Sequence, residues 1–215
     1  MQRLRMEISM SLDGFVAGPD PDADNPLGIG GEQLHEWVFK LASWREAHGR
    51  EGGETSVDDE VMAESIENVG ATIMGRNMFG PAPGPWPEDP PWRGWWGDEP
   101  PFHSDVFVLT HHPREPLEME GGTTFHFVTD GPEAALERAR EAAGEKDVAV
   151  GGGGETGRQY LAAGLLDQLQ IHLVPVVLGG GAPLFDGLEP GAFGLVPDRA
   201  IGSAEVTHLR YRKPA

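Results

Sequence analysis

From Arg5 to Leu12 the apolar residues Met6, Ile8, Met10 and Leu12 alternate with Arg5, Glu7, Ser9 and Ser11. That period of two predicts a strand with one buried face, ended by the turn pair Asp13-Gly14. Gly18-Pro19-Asp20-Pro21 and the stretch to Gly31 read as loop. Leu34, Trp37, Val38, Leu41 and Trp44 then recur at helical spacing and predict a helix over 31–45. A second helix opens at Val57 with Asp58, Asp59 and Glu60 in its first turn, where the helix dipole favours carboxylates, and ends near Gly70. Ala71-Thr72-Ile73-Met74 predicts a short buried strand, and Gly75-Arg76-Asn77-Met78-Phe79 another turn or helix.

Between Pro81 and Pro101 stand eight prolines together with Trp86, Trp92, Trp95 and Trp96, too proline-dense for a regular element and therefore a long loop. Strands follow near 105–110 and 123–129, then a helix over 132–143, a strand over 147–150 and a short helix over 155–163. The apolar run Leu169 to Leu178 and an alternating strand near 203–212 close the pattern. Helices alternating with strands predict an α/β fold with a mostly parallel sheet, helices on both faces, and last strands that pair antiparallel. No repeat or composition shift divides residues 1–215, so one domain is expected. A ligand is expected at the carboxyl ends of the strands.

Charge narrows the function. The chain carries 35 acidic against 16 basic residues, a formal net charge of −19, and its long-range field repels nucleic acid and anionic membranes. The absence of cysteine removes disulfides, thiolate catalysis and cysteine-ligated metals. No apolar stretch reaches the roughly 18 residues that span a bilayer, and the start resembles no signal peptide, so a cytoplasmic protein is expected. A phosphate-bearing ligand would have to be held by a few local arginines, backbone amides and helix N-termini working against the overall field.

Such positions exist. Gly152-Gly153-Gly154-Glu155-Thr156-Gly157 satisfies G-x-G-x-x-G between a predicted strand and a predicted helix, where glycines let backbone amides approach phosphate oxygens. The same glycines also suit a plain strand-to-helix turn that needs positive φ. A two-half dinucleotide fold fits poorly, because the motif comes late in the chain and no acidic residue ends a clear second strand about 20 residues on.

Four segments in order resemble the dihydrofolate reductase superfamily, in the branch similar to the C-terminal reductase domain of the bifunctional riboflavin biosynthesis enzyme RibD. They are Ser9-Met10-Ser11-Leu12-Asp13-Gly14-Phe15-Val16-Ala17, Ile73-Met74-Gly75-Arg76-Asn77-Met78-Phe79, Val108-Leu109-Thr110-His111-His112-Pro113 and Val148-Ala149-Val150-Gly151-Gly152-Gly153, with Leu173 to Gly181 near the end. The resemblance spans nearly the whole chain. It implies a three-layer fold with a central, mixed, mostly parallel sheet of about eight strands, NADPH across the strand ends, hydride transfer to a small heterocyclic or conjugated substrate, and a homodimer. It further implies cofactor contacts from Ala17, from Gly75, Arg76 and Asn77, from Thr110, His111, His112 and Arg114, and from Gly151 to Gly154 with Glu155 and Thr156. Met78 stands where the family often has threonine. Hydroxyl and cationic donors clustered from Thr110 to Arg114 suit a 2′-phosphate and favour NADPH over NADH. Adjacent histidines there diverge and lack a third ligand nearby, so no metal is expected.

At the reacting end the resemblance points to the first helix, where dihydrofolate reductases carry a carboxylate. An Asp-x-x-Trp-Phe pattern is missing, and Glu32, His35 and Glu36 are the local candidates, each equally readable as the polar face of an amphipathic helix. Asp13 could orient substrate or relay a proton; it could also simply form the turn before Gly14. The catalytic candidates are therefore Asp13, His35 and Glu36. Two functions remain open: an NADPH-dependent reductase, and a non-catalytic NADP-binding sensor or scaffold module.

Overall fold

The computed structural model describes residues 2–22, 24–80, 84–87 and 91–214. In chain order it contains β1 (Leu4–Ser11), β2 (Phe15–Ala17), α1 (Ala42–Ala47), α2 (Val57–Ile66), β3 (Val69–Gly75), α3 (Arg76–Phe79), β4 (Asp105–Leu109) and β5 (Leu117–Glu118). There follow β6 (Thr124–Val128), α4 (Pro132–Ala143), β7 (Asp147–Val150), α5 (Gly154–Ala162), β8 (Gln168–Val174), β9 (Ala182–Pro183), β10 (Val196–Gly202) and β11 (Thr207–Arg212). Nine strands form one mixed sheet in the order β10-β11-β8-β1-β7-β3-β4-β6-β5, and β2 pairs with β9 in a separate ribbon. The six central strands from β8 to β6 run parallel, while β11 and β10 on one edge and β5 on the other are antiparallel. This is the α/β, mostly parallel architecture that the alternating pattern predicts. No helix among the described residues is long and apolar enough to cross a membrane.

One face of the sheet buries Leu4, Met6, Ile8, Ile73, Phe107, Val148 and Val150 against Leu136 and Ala139 of α4 and Tyr160 and Leu161 of α5. Helix α4 has an apolar stripe at positions 135, 136, 139 and 143, a proline in its first turn and Gly144 at its end, which explains why its limits match expectation. The opposite face is covered in two parts. Phe79, Phe125, Val106 and Val108 lie under Trp86, Trp92 and Trp96 of the proline-rich loop, whose residues 81–83 and 88–90 lie outside the described set. Over β1, β8 and β11 lie α2 and the 31–41 segment.

That second cover corrects the expectation of a single buried face on β1. Arg5, Ser9 and Ser11 are buried too, because the polar side is roofed and most of its groups are paired internally, Arg5 Nε being buried without a partner among the described residues. Arg5 donates to the carbonyls of Ser65 and Glu67 at the end of α2, and His208 contacts Asp58 of α2 at 2.9 Å. Buried polar groups persist only when matched in this way.

The helix expected over 31–45 is also corrected. Gly31–Leu34 is a 3-10 turn, and only Ala42–Ala47 is α-helical. Between them His35, Val38 and Leu41 donate three residues back, to Glu32, His35 and Val38. The Trp37 indole N–H donates to the Leu34 carbonyl and to Ser9 Oγ. Leu41 is extended, bridges to Glu54 and stands at the N-cap of α1, which separates that helix from the turns before it. Leu34, Trp37, Val38 and Leu41 still form one cluster, since a three-residue turn presents nearly the same face as an α-turn. Helix α2 ends at Ile66, because Val69 and Gly70 already belong to β3. Strand β10 has no counterpart in the predicted elements: it is a mostly exposed edge strand with a register shift between Pro197 and Arg199, and so has no alternation to detect. The run to Leu178 leaves the sheet at Val174, with Pro175 and Val177 exposed.

Helix α5 packs unusually close to β1. A Cβ at Gly157 would lie 2.5 Å from Met6 Cε and 2.6 Å from its Sδ, inside a core where Met6 is fully buried. Gly157→Ala is expected to destabilise the fold by about 1–3 kcal/mol, the usual penalty for overpacking, and by less in a Met6→Leu background that lacks those two atoms. Urea unfolding of the two single variants and the double variant measures this; equal penalties in both backgrounds would contradict the packing.

Candidate functional site

Parallel pairing turns four segments that are remote in sequence into neighbours. Met6 pairs with Val150, Val150 with Ile73, and Gly75 with Leu109, so β7, β3 and β4 end at nearly one level, while β1 runs on past them to Ser11. Their carboxyl-terminal turns are Asp13-Gly14, Gly151 to Gly154, Gly75-Arg76 and Thr110 to Arg114.

The Gly151 amide extends the sheet by donating to the Ile73 carbonyl at 2.8 Å. Gly152 and Gly153 then adopt φ of 120° and 85°, conformations that reverse the chain into α5 and that side chains resist. A Cβ at Gly75 would meet Thr156 Oγ1 at 2.5 Å, so the turn after β3 and the first turn of α5 are in direct contact. Met78 lies against the glycine turn, its Sδ 3.3 Å from where a Gly152 Cβ would be. Where a hydroxyl is expected, the chain places a thioether. Gly154 sits beneath the β2–β9 ribbon, with Val16 Cγ2 and the Pro183 carbonyl next to its Cα, while Ala17 pairs with Ala182. Glu155 is taken up by Arg158 and Gln159 within α5. Asn77 is exposed.

Arg76 opens α3 with its guanidinium 3.6 Å from the centre of the Trp86 ring. Its Nε and Nη1 are buried without a hydrogen-bond partner among the described residues. Burial first, and then the charge of Arg114, disfavours its cationic form. Arg114 lies 5.4 Å from the same ring and 5.1 Å from Phe127, and donates to the Trp92 carbonyl at 2.6 Å. Thr110 is buried; its hydroxyl accepts from the His112 amide at 3.1 Å, and its amide donates to Val128 at 3.0 Å. His111 is exposed and His112 half-buried.

The catalytic candidates lie apart from this cluster. Asp13 is exposed, and its carboxylate accepts from the amides of Leu178 (3.1 Å) and Gly179 (2.7 Å). A hydrogen bond from Ser11, and these amides, hold its pKa below the ordinary carboxylate value. His35 is half-buried, and desolvation, followed by repulsion from His172, lowers its pKa to about 4. Glu36 is exposed. Among the described residues no hydrogen bond joins Asp13, His35 and Glu36.

The sequence reading missed a buried chain behind His35. His172 Nδ1 and His208 Nδ1 are 2.7 Å apart, His208 Nε2 contacts Asp58, and His172 Nε2 lies 3.6 Å from Glu7 Oε2. Trp37 packs on both rings, with centroids 4.8 and 5.3 Å away. Nothing in the sequence pairs positions 172 and 208; only the antiparallel register of β8 and β11 does. The contact of Trp86 with Arg76 escaped for the same reason.

These features define an α/β chain with a glycine-lined, arginine-bearing edge at its strand ends. The chain belongs to the RibD C-terminal domain family, whose model matches residues 2–205. It is similar in structure to a protein assigned to riboflavin biosynthesis from Shewanella sp. PV-4, with 21% identity, full coverage of both chains and a TM-score of 0.59. It also resembles a diaminohydroxyphosphoribosylaminopyrimidine deaminase/5-amino-6-(5-phosphoribosylamino)uracil reductase from Thermotoga maritima, with 12% identity and a TM-score of 0.59; this covers 99% of the present chain but 57% of that one. A dihydrofolate reductase from Enterococcus faecalis complexed with NADP(H) shares the fold at 12% identity, covering 99% and 97% of the two chains with a TM-score of 0.51. Comparison with curated proteins gave no match.

Two expectations follow. His35 has a folded pKa of about 4, below the unfolded value of about 6.5, so the neutral ring contributes stability that is present above pH 6.5 and lost as pH falls toward 4. Between pH 7 and pH 5 the wild type should lose about 2 kcal/mol more than His35→Gln in urea unfolding; parallel profiles would place His35 in water. Asp13→Asn keeps one acceptor oxygen for two amides, so it should lower the melting temperature, whereas unchanged thermal unfolding would remove the tie to Leu178 and Gly179.

Proposed function

We propose that the protein is an NADPH-dependent reductase acting on a small heterocyclic or conjugated substrate. The observation that carries this reading is Arg76, a half-buried cation at the strand-end row whose buried Nε and Nη1 have no hydrogen-bonding partner among the described residues, in a chain of net charge −19. A buried guanidinium left unpaired is costly, and an anionic ligand would relieve it. The turn residues fit a dinucleotide: backbone without side chains at Gly151 to Gly154, cations at Arg76 and Arg114, and the first turn of α5 beside Gly75.

In this reading Gly151 to Gly154, with Glu155 and Thr156, lie along the diphosphate. Gly75, Arg76 and Asn77, together with Thr110, His111, His112 and Arg114, hold the adenosine 2′-phosphate, and Ala17 borders the nicotinamide end. When bound, the reduced nicotinamide supplies a hydride. Asp13, held as a carboxylate, ties the end of β1 to the Leu178–Gly179 turn and orients what lies above it. His35 is neutral above about pH 4, so near neutrality it carries no charge, and Glu36 faces solvent. Water is then the source of the proton that completes the reduction. The family and the Thermotoga relative favour a pyrimidine-like or pteridine-like acceptor. Assembly as a homodimer belongs to the same reading and would cover Val177, which is 69% exposed.

A second reading, a nucleotide-binding module without turnover, draws on the same two facts: Asp13 is held ionised and His35 uncharged, so neither is a ready acid at neutral pH. Single-turnover oxidation of bound NADPH against pteridines, flavins, quinones and conjugated carbonyls separates the two. NADPH is expected to bind at least about tenfold more tightly than NADH, a difference near 1.4 kcal/mol, and to be oxidised by one acceptor class. Tight binding with no oxidation by any acceptor would favour the module, and equal affinities for the two cofactors would refute the NADPH assignment.

A further inference from the structure

The tryptophan-rich loop does more than roof the sheet. Trp86 touches both turns assigned to the 2′-phosphate: its ring lies under Arg76 at 3.6 Å, and its indole N–H donates to the His112 carbonyl at 2.8 Å. At the edge of the guanidinium, beside the same indole, lies Gly80. A Cβ there would fall 2.1 Å from Arg76 Nη1 and 3.3 Å from Trp86 Cζ3, so only a residue without a side chain leaves room. Gly80 has a φ of −137°, a conformation open to any residue; the glycine is required by the guanidinium and not by the backbone.

We infer that Trp86 and Gly80 form a slot, the indole along one side and the bare backbone at its edge, that holds the Arg76 guanidinium pre-ordered for a phosphate monoester, making Trp86 a positioning residue for cofactor discrimination. The inference rests on the NADPH reading. A free arginine has many rotamers and would lose them on binding, whereas one already stacked on an indole loses little further freedom. Stacking on tryptophan also offsets the burial of a cation that the charge of Arg114 repels. Through the His112 carbonyl, Trp86 further fixes the Thr110–Arg114 turn relative to Arg76. The indole thereby sets the spacing between two donors that the sequence places 34 residues apart or more.

The test compares NADPH and NADH affinity by fluorescence titration in the wild type, Trp86→Leu, Trp86→Phe and Gly80→Ala, alongside thermal unfolding. Trp86→Leu and Gly80→Ala should each weaken NADPH by about tenfold while leaving NADH within about twofold, because NADH lacks the group that Arg76 would meet. Trp86→Phe keeps a stacking face and should retain most of the preference. Gly80→Ala removes no contact of the loop and displaces only the far end of a flexible side chain, so it reports on the slot even where Trp86→Leu unfolds. A wild-type preference that survives both Trp86→Leu and Gly80→Ala overturns the slot alone, as does an equal loss for both cofactors with a lowered melting point. Equal wild-type affinities instead overturn the NADPH reading.

Discussion

The parallel ladder of β1, β7, β3 and β4 is the constraint from which the site follows. Neighbouring strands in such a ladder lie about 4.8 Å apart, and their shared direction puts every carboxyl-terminal turn on one edge. Hydrogen-bond register, set by pairs such as Val150 with Ile73 and Gly75 with Leu109, then aligns a glycine turn, an arginine and a threonine–histidine turn side by side. No single segment contains the site. Each contributes a short turn, and the ladder sets the distances between them.

Crowding at that edge explains its glycines. Gly75 faces Thr156, Gly154 faces the β2–β9 ribbon, and Gly80 faces Arg76, each at a separation that a methyl group would close. Thus the edge is built by close approach of backbone to neighbouring groups, which also leaves amides open to a ligand. Met78 departs from this polar pattern, packing its sulfur over Gly152.

Beneath the β1 end of the row lies a layer of a different kind. Glu7, His172, His208 and Asp58 link β1, β8, β11 and α2 through buried contacts, with Trp37 laid over both imidazoles. In a low-dielectric interior such groups persist only when matched to one another, so this layer fixes how α2 and the 31–41 segment sit on the sheet. His35 borders it, its pKa depressed by its own burial first and by the charge of His172 second.

The sequence by itself determined the elements whose signals are local. The stripe and end residues of α4, the apolar β7 and the glycine turn before α5 are set by side chains within a few positions of one another, and they appear in the structure where periodicity and turn chemistry place them. Segment order and family motifs were sufficient for the α/β class and the strand-end location of the glycine turn. Only the tertiary structure decided the rest. The 31–41 segment abandons the α-helix because Trp37 bonds to Leu34 and Ser9 and Leu41 pairs with Glu54; β10 exists because β11 offers it an edge; and β1 buries both faces because α2 supplies partners for Arg5 and its neighbours. Arg76 becomes a held cation only where the chain returns with Trp86. Periodicity and turn propensity act over a few residues, whereas a hydrogen bond, a stack or an ion pair across the sheet depends on register and approach that arise only once the distant segments are packed.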